Sequence, residues 1–397
     1  MNPTTALPLL GGLSPEQFMR RHWQRKPLLI RQAIPGIRPA LSVAALRKLA
    51  RRDEVESRLI WRESGQWQME PGPFARLPKA GEREWTLLVQ GLEQHDDWAA
   101  ALMQQFRFIP DARFDDIMVS VAGDGGGVGP HFDSYDVFLL QAAGRRRWRI
   151  SQQRDLSLVP GLPLKILRNF QPEAEYLLEP GDMLYLPPHV AHDGVAEGSC
   201  MTISVGFRSP DRATLARGML EAAAEQLAAR SGMPTGPYGD PPLPGPDLSA
   251  RYRDPGQQAT DTPGLIPDGL VEAAQSAAQA VRFDAALAAR FLGCWLSEPH
   301  PNAVFCADED AADPSQWPAG ATLVLDRRTR MLYRARQLFI NGECAPVTAE
   351  AGLRRLADRR MLALEDAAAR RLSQAARLCL ADWVQAGWVR LQHNRPG

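Results

Sequence analysis

The chain has 397 residues, 45% hydrophobic and 23% charged, the balance of a soluble folded protein with room for two or three domains. Lys+Arg and Asp+Glu both number 46, so the net charge is zero, which argues against a chain that coats nucleic acid through bulk charge. The five cysteines (Cys200, Cys294, Cys306, Cys344, Cys379) form no CxxC pair, the N-terminus lacks a signal-peptide pattern, and no apolar run reaches the ~18 residues of a membrane span, so a cytoplasmic location is expected.

In chain order, Ser14-Pro15-Glu16-Gln17 reads as a helix N-cap, a proline in the first turn and a capping-box partner. Leu41–Arg51 and Glu84–Phe106 are expected as further helices; in the second, Leu87, Leu88, Leu92, Trp98, Leu102 and Phe106 recur at roughly helical spacing. From about Asp116 to Arg208 short strands alternate with Gly/Pro turns, the pattern of a double-sheet jelly roll. Val137–Leu140 reads as a buried strand and Ala142-Ala143-Gly144 as a turn. The strand after it puts Arg146, Trp148 and Ile150 on one face and Arg145, Arg147 and Arg149 on the other. Met183–Leu186 and Met201–Phe207 read as later strands. Ser209-Pro210-Asp211 opens a helix in which Leu215, Met219, Ala223 and Leu227 recur every four residues, and Gly232 and Pro234 stop it. Pro234–Pro267 is rich in Pro, Gly and Asp, as a linker is. A second small domain follows: a helix over Leu270–Leu296, hairpin-like strands over Ala321–Ala335 and Leu338–Val347, helices, and a last stretch Trp383–Leu391. The arginines at 354, 355, 359, 360, 370 and 371 read as a solvated helix face.

The chemistry concentrates at Gly125-Gly126-Gly127-Val128-Gly129-Pro130-His131-Phe132-Asp133. On a strand, the period of two would point His131 and Asp133 to the same side. A further histidine would complete a two-histidine, one-carboxylate facial site, which keeps positions open and suits non-haem iron(II). His189 and His192 both follow the Met183–Leu186 strand; His192 is preferred, because His189 sits in the turn directly after two prolines. Arg146 shares a face with apolar residues, and a buried guanidinium needs an anionic partner. That partner is either an internal Asp or Glu or a dicarboxylate cosubstrate such as 2-oxoglutarate, whose carboxylate matches the planar fork. Ser120 and Ser204 are secondary candidates for hydroxyl contacts to the same cosubstrate. Asp124 stands at the edge of the glycine run, where an acidic group favours a cationic target such as a protein arginine or lysine.

The glycine-rich segment through Gln141, the Gly-Arg-Arg-Arg-Trp-Arg stretch and Gly-Asp-Met-Leu-Tyr-Leu-Pro-Pro-His together resemble a JmjC-type cupin oxygenase. Within that class the chain is similar to the bacterial ribosomal oxygenases, which hydroxylate an arginine of a large-subunit ribosomal protein; Leu9–Phe18 and Lys26–Ala33 share the likeness. The resemblance implies iron(II) on His131, Asp133 and His192, the distal carboxylate of 2-oxoglutarate on Arg146, and the target arginine on Asp124. It implies a mainly β jelly-roll cupin (double-stranded β-helix) with N-terminal helices over 1–208, a helical dimerisation region and linker over 209–280, and an α+β winged-helix-like domain over 281–397. The expected activity is 2-oxoglutarate-dependent 3-hydroxylation of an arginine in a large-subunit ribosomal protein by molecular oxygen. The expected state is a homodimer with no membrane partner and little or no direct nucleic-acid binding. Two rivals stand beside it: hydroxylation of histidine or asparagine or demethylation within the same superfamily, and a non-enzymatic cupin sensor that binds nucleic acid.

Overall fold

The computed structural model describes residues 2–39, 41–79, 81–307, 314, 317–318 and 320–392. The chain divides into two compact units, residues 1–209 with 300–304, and residues 210–299 with 305–397.

The first unit is an antiparallel nine-stranded sheet with short helices. Its strands are β1 (Leu28–Ile30), β2 (Ser57–Glu63), β3 (Gln66–Pro71), β4 (Trp85–Val89), β5 (Phe114–Ala122), β6 (Asp136–Ser151), β7 (Ala174–Leu178), β8 (Met183–Leu186) and β9 (Ala191–Phe207). They run in the order β1-β8-β6-β9-β5-β4-β2-β3, with β7 on the far half of β6. The jelly-roll expectation is borne out. One face of the sheet packs Phe138, Leu140, Ile203 and Val205 against α1 (Pro15–Arg21), α2 (Val43–Leu49) and α3 (Asp97–Gln104) through Phe18, Leu46 and Leu102. The other face, termed the chamber face, carries a second cluster, Val137, Leu139, Trp148, Ile150, Leu184 and Leu186. The Ser14–Gln17 capping box forms as read.

Two local readings are corrected. Glu84–Phe106 is not one helix: Trp85–Val89 is strand β4, buried throughout and paired with β2 and β5. Gly91 then takes a left-handed conformation, and Asp96 caps the short α3. Tertiary pairing on both edges outweighs an apolar spacing that fits either period. Likewise Ala142–Gly144 is not a turn. It is an irregularity within the continuous β6, with register shifts on either side of Ala143 and Gly144 at φ 61°.

The second unit begins with α4 (Arg212–Arg230), capped by Asp211 rather than Ser209. The expected helix over Leu270–Leu296 is two, α5 (Asp268–Ala280) and α6 (Ala285–Ser297), because the chain breaks before Asp284, which caps α6. No residue of α5 is buried. Then come β10 (Thr322–Leu325), β11 (Met331–Arg334), β12 (Gln337–Ile340), β13 (Glu343–Cys344), α7 (Ala351–Arg359), β14 (Met361–Ala363), α8 (Ala367–Arg370), α9 (Gln374–Gln385) and β15 (Val389–Gln392). The expected strand over Ala321–Ala335 is therefore two strands in different sheets, β14-β10-β15 and β11-β12-β13. Leu353, Leu356, Leu380, Trp383 and Val384 of α7 and α9 close the core over β10.

Candidate metal centre

The glycine-rich segment lies between β5 and β6 as a loop rather than a strand; Gly125 and Gly126 exchange backbone bonds with Ala196 of β9, and His131 forms an isolated bridge with His192. A side chain at Gly127 would stand 2.6 Å from the Gly194 carbonyl oxygen of β9, so only glycine lets the loop lie this close. The loop delivers His131 beside His192. The two residues exchange backbone bonds, His131 N–H to His192 O at 2.9 Å and His192 N–H to His131 O at 2.7 Å. Their ring centroids are 4.2 Å apart.

Each imidazole is oriented through Nδ1. That nitrogen lies 2.9 Å from the Gly129 carbonyl oxygen in His131 and 2.9 Å from the Val190 carbonyl oxygen in His192. With Nδ1–H donating, Nε2 is the basic nitrogen on each ring, the arrangement that second-shell carbonyls give metal-binding histidines. Asp133 Oδ2 lies 3.6 Å from His192 Nε2. Ligand atoms of His131, Asp133 and His192 all fall within 4.8 Å of one another, the single such cluster of three or more among the described residues. His192 is 2% exposed. Burial and the neighbouring His131 push its imidazole down to about 4, against the pull of Asp133, so the ring is neutral at pH 7. Two imidazoles and one carboxylate form the donor set that suits iron(II) and leaves positions open.

His189 is exposed and stands apart from this cluster, in a left-handed conformation at φ 65°. Its backbone N–H donates to Asp133 O at 2.7 Å, and its ring meets Phe132, so it braces the loop.

Arg146 is 5% exposed on the chamber face. Its Nη1 donates to Ser120 Oγ at 3.2 Å, and its guanidinium sits 5.6 Å from the Trp148 ring. Nε and Nη2 are buried with no hydrogen-bond partner among the described residues. Among the described residues no Asp or Glu pairs with it, so of the two partners weighed from sequence no internal ion pair is formed there. The register places the parts along one wall: His192 pairs with Ile150, Gly194 with Trp148 and Ala196 with Arg146. Arg146 thus lies two alternate positions from the metal-ligand row, with Trp148 between. Ser120 and Ser204 are buried on the strands opposite, and the Ser120 hydroxyl also reaches Thr202 O at 3.4 Å.

Asp124 is already engaged. It pairs with Arg83 at 2.6 Å and accepts the Gly198 N–H at 2.8 Å. A substrate cation would compete there with Arg83. Sequence reading had no means to find this pair, since its members lie 41 positions apart in an irregular loop. The Gly129 and Val190 carbonyls that orient the imidazoles are backbone atoms, which no residue type marks.

The antiparallel jelly roll and this triad are those of a cupin that can hold a metal, and residues 101–215 match the family described as JmjC domain. Residues 280–390 match the ROXA-like winged helix, so the chain carries a JmjC domain followed by a winged helix. It resembles the ribosomal oxygenases in particular. It is 41% identical over 205 residues to the ribosomal protein uL16 3-hydroxylase of Escherichia coli, covering 51% of this chain and 55% of that one. It is 39% identical over 217 residues to a probable ribosomal oxygenase of Haemophilus influenzae, covering 52% of each. The matched stretch spans about half the length of these relatives. In three dimensions the likeness extends further. The X-ray structure of E. coli ycfD superposes with a TM-score of 0.80 at 29% identity, covering 96% of this chain and 98% of that one. A second ycfD structure, in complex with cobalt and 2-oxoglutarate, gives 0.76 at 29% identity over 96% and 99%.

Proposed function

We propose that this chain is an iron(II)- and 2-oxoglutarate-dependent protein hydroxylase that acts on an arginine of a large-subunit ribosomal protein. The observation that carries the reading is the Arg146 guanidinium, buried and two-thirds unpaired on the wall that also holds His192. A buried cation without a counter-ion costs several kcal/mol, and a carboxylate entering the chamber would relieve that cost. His131, Asp133 and His192 would hold the metal as facial ligands. Arg146 would take the distal carboxylate of 2-oxoglutarate in a bidentate grip, with the Ser120 and Ser204 hydroxyls beside it. The bound iron and 2-oxoglutarate supply the oxygen activation, coupled to oxidative decarboxylation to succinate. The chain's own contribution is orientation: both imidazoles are fixed through Nδ1, and Trp148, Ile150 and Leu186 form an apolar wall beside them. Asp124, once released from Arg83, would receive the target guanidinium.

The same proposal divides the chain into an oxygenase domain over 1–208, a helical dimerisation region and linker over 209–280, and a winged-helix-like domain over 281–397, of which residues 1, 40, 80, 308–313, 315–316, 319 and 393–397 lie outside those described. A homodimer is supported by α5, whose Leu270 and Val271 are exposed. A cytoplasmic location with little or no direct nucleic-acid binding belongs to the same proposal; no helix among the described residues is long and apolar enough to cross a membrane. Intact-mass analysis of ribosomal proteins from cells with and without the gene tests the reading. A one-oxygen difference on one large-subunit protein is expected, and identical masses throughout would sink it. The occupied state of Asp124 favours one alternative, hydroxylation of a histidine or asparagine. Locating the added oxygen by fragmentation separates the two.

A further inference from the structure

The inward turn of Arg146 depends on one extra residue in β6. Before it, Val137 and Leu139 face the chamber; after it, Trp148 and Ile150 do. Odd positions give way to even ones. The switch occurs where β6 advances two residues, from Gln141 to Ala143, while its partner β9 moves back only one, from Thr202 to Met201. Without that residue the alternation would run on unbroken. Arg145, Arg147 and Arg149 would then point inward and Arg146 outward. Instead those three pair outside with Glu197, Glu175 and Asp193.

A buried side-chain bridge spans the irregularity. Gln141 Nε2 donates to the Ala143 carbonyl at 2.9 Å and to the Gly144 carbonyl at 3.4 Å. Gln141 Oε1 accepts the Thr202 hydroxyl at 3.0 Å from β9. Both side chains are buried, so the bridge is shielded from competition by water. It gives the Ala143 and Gly144 carbonyls a donor at the register shift, and it ties the bulged strand to its neighbour. Gly144, left-handed at φ 61°, completes the bulge; a Cβ there would lie 2.2 Å from the Ser199 carbonyl oxygen.

We propose that Gln141 and Thr202 are positioning residues for cosubstrate recognition: their hydrogen bonds hold the bulge that turns Arg146 into the chamber. This rests on the reading of Arg146 as the 2-oxoglutarate anchor, but the bulge claim can be tested apart from it. Replacing Gln141 by Leu keeps the buried volume and removes the amide. A crystal structure of full-length Gln141→Leu is expected to show β6 re-registered and Arg146 outside the chamber. Arg146 still inside would overturn the inference whether or not the protein binds 2-oxoglutarate.

Calorimetric titration gives the second readout. With manganese(II) in place of iron, Gln141→Leu and Thr202→Val are each expected to raise the Kd for 2-oxoglutarate tenfold or more. The manganese Kd should stay within threefold, because His192 pairs with Ile150, well beyond the bulge. Thr202→Ser, which keeps the hydroxyl, is expected to restore wild-type binding. A 2-oxoglutarate Kd within threefold of wild type in Gln141→Leu, an equal loss of manganese affinity, or a Thr202→Ser as impaired as Thr202→Val would each overturn the proposal. Wild-type protein that ignores 2-oxoglutarate would instead strike at the proposed function, and the crystal structure would still decide the bulge.

Discussion

Replacing Arg146 by Met separates a ligand-binding arginine from a structural one. Met keeps the apolar stem and approximate length but removes all five donors. The guanidinium is 5% exposed, and only Nη1 is partnered, by Ser120. Nε and Nη2 await an acceptor. Two charge-assisted hydrogen bonds at about 1.5 kcal/mol each, the low end of their range, amount to about 3 kcal/mol. That is roughly a hundredfold in Kd. Stability should move the other way or not at all, because replacing an unpaired buried cation by an apolar side chain removes a desolvation cost. The assay is twofold: calorimetric titration of 2-oxoglutarate into manganese-loaded protein, and urea denaturation of the metal-free protein. Expected are a Kd raised about a hundredfold and a folding free energy equal to or above wild type. An unchanged Kd together with a loss of more than about 2 kcal/mol on denaturation would show that Arg146 holds the fold instead, and the reasoning would fail.

Three further outcomes follow from the geometry. Metal-free protein should lose stability as pH falls. The folded His192 titrates at about 4 against 6.5 in an open chain, so its contribution is complete above pH 6.5 and declines towards pH 4 by about 3 kcal/mol. Denaturation at pH 7 and pH 4.5 should show this difference in wild type and a smaller one in His192→Gln; equal slopes would reject the assignment. Gly194→Ala puts a Cβ within 2.6 Å of the Trp148 ring, which must shift at a cost of about 1–3 kcal/mol, and the displaced ring crowds His192. Lower melting temperature with weakened metal binding is expected, and a wild-type melting temperature would contradict it. Arg83→Ala should lower KM for an arginine-containing substrate up to about fivefold, since an exposed pair contributes only about 0–1 kcal/mol. A raised KM would mean that Arg83 helps to bind the substrate.

Much of the chamber is legible in the sequence because strand alternation is strictly local. Arg146, Trp148 and Ile150 can be assigned a common face from spacing alone, and so can the outward Arg145, Arg147 and Arg149. The triad is approachable for another reason: the chain has only 7 histidines, and two prolines disfavour His189. What escaped was non-local. Trp-Thr-Leu-Leu-Val at 85–89 has an apolar pattern that a helix or a central strand can use, and pairing to β2 and β5 decides it. Ala142-Ala143-Gly144 carries the same local signal whether the chain reverses or bulges; the choice lies with β9 across the sheet. The engagement of Asp124 by Arg83 depends on the course of an irregular loop, to which residue periodicity is blind.

The reciprocal backbone bonds between His131 and His192 have a consequence for how the protein acquires its metal. Many small metal sites come into being only when the ion gathers ligands from a disordered chain, so that chelation unfolds them. Here the two imidazoles are already clasped and aimed by main-chain atoms, and a folded sheet stands behind them. Loading then resembles the filling of a rigid socket. On the proposed reading the ion is expected to be withdrawn by a chelator and returned without refolding, so that the fraction of competent molecules follows the supply of metal rather than the history of the chain.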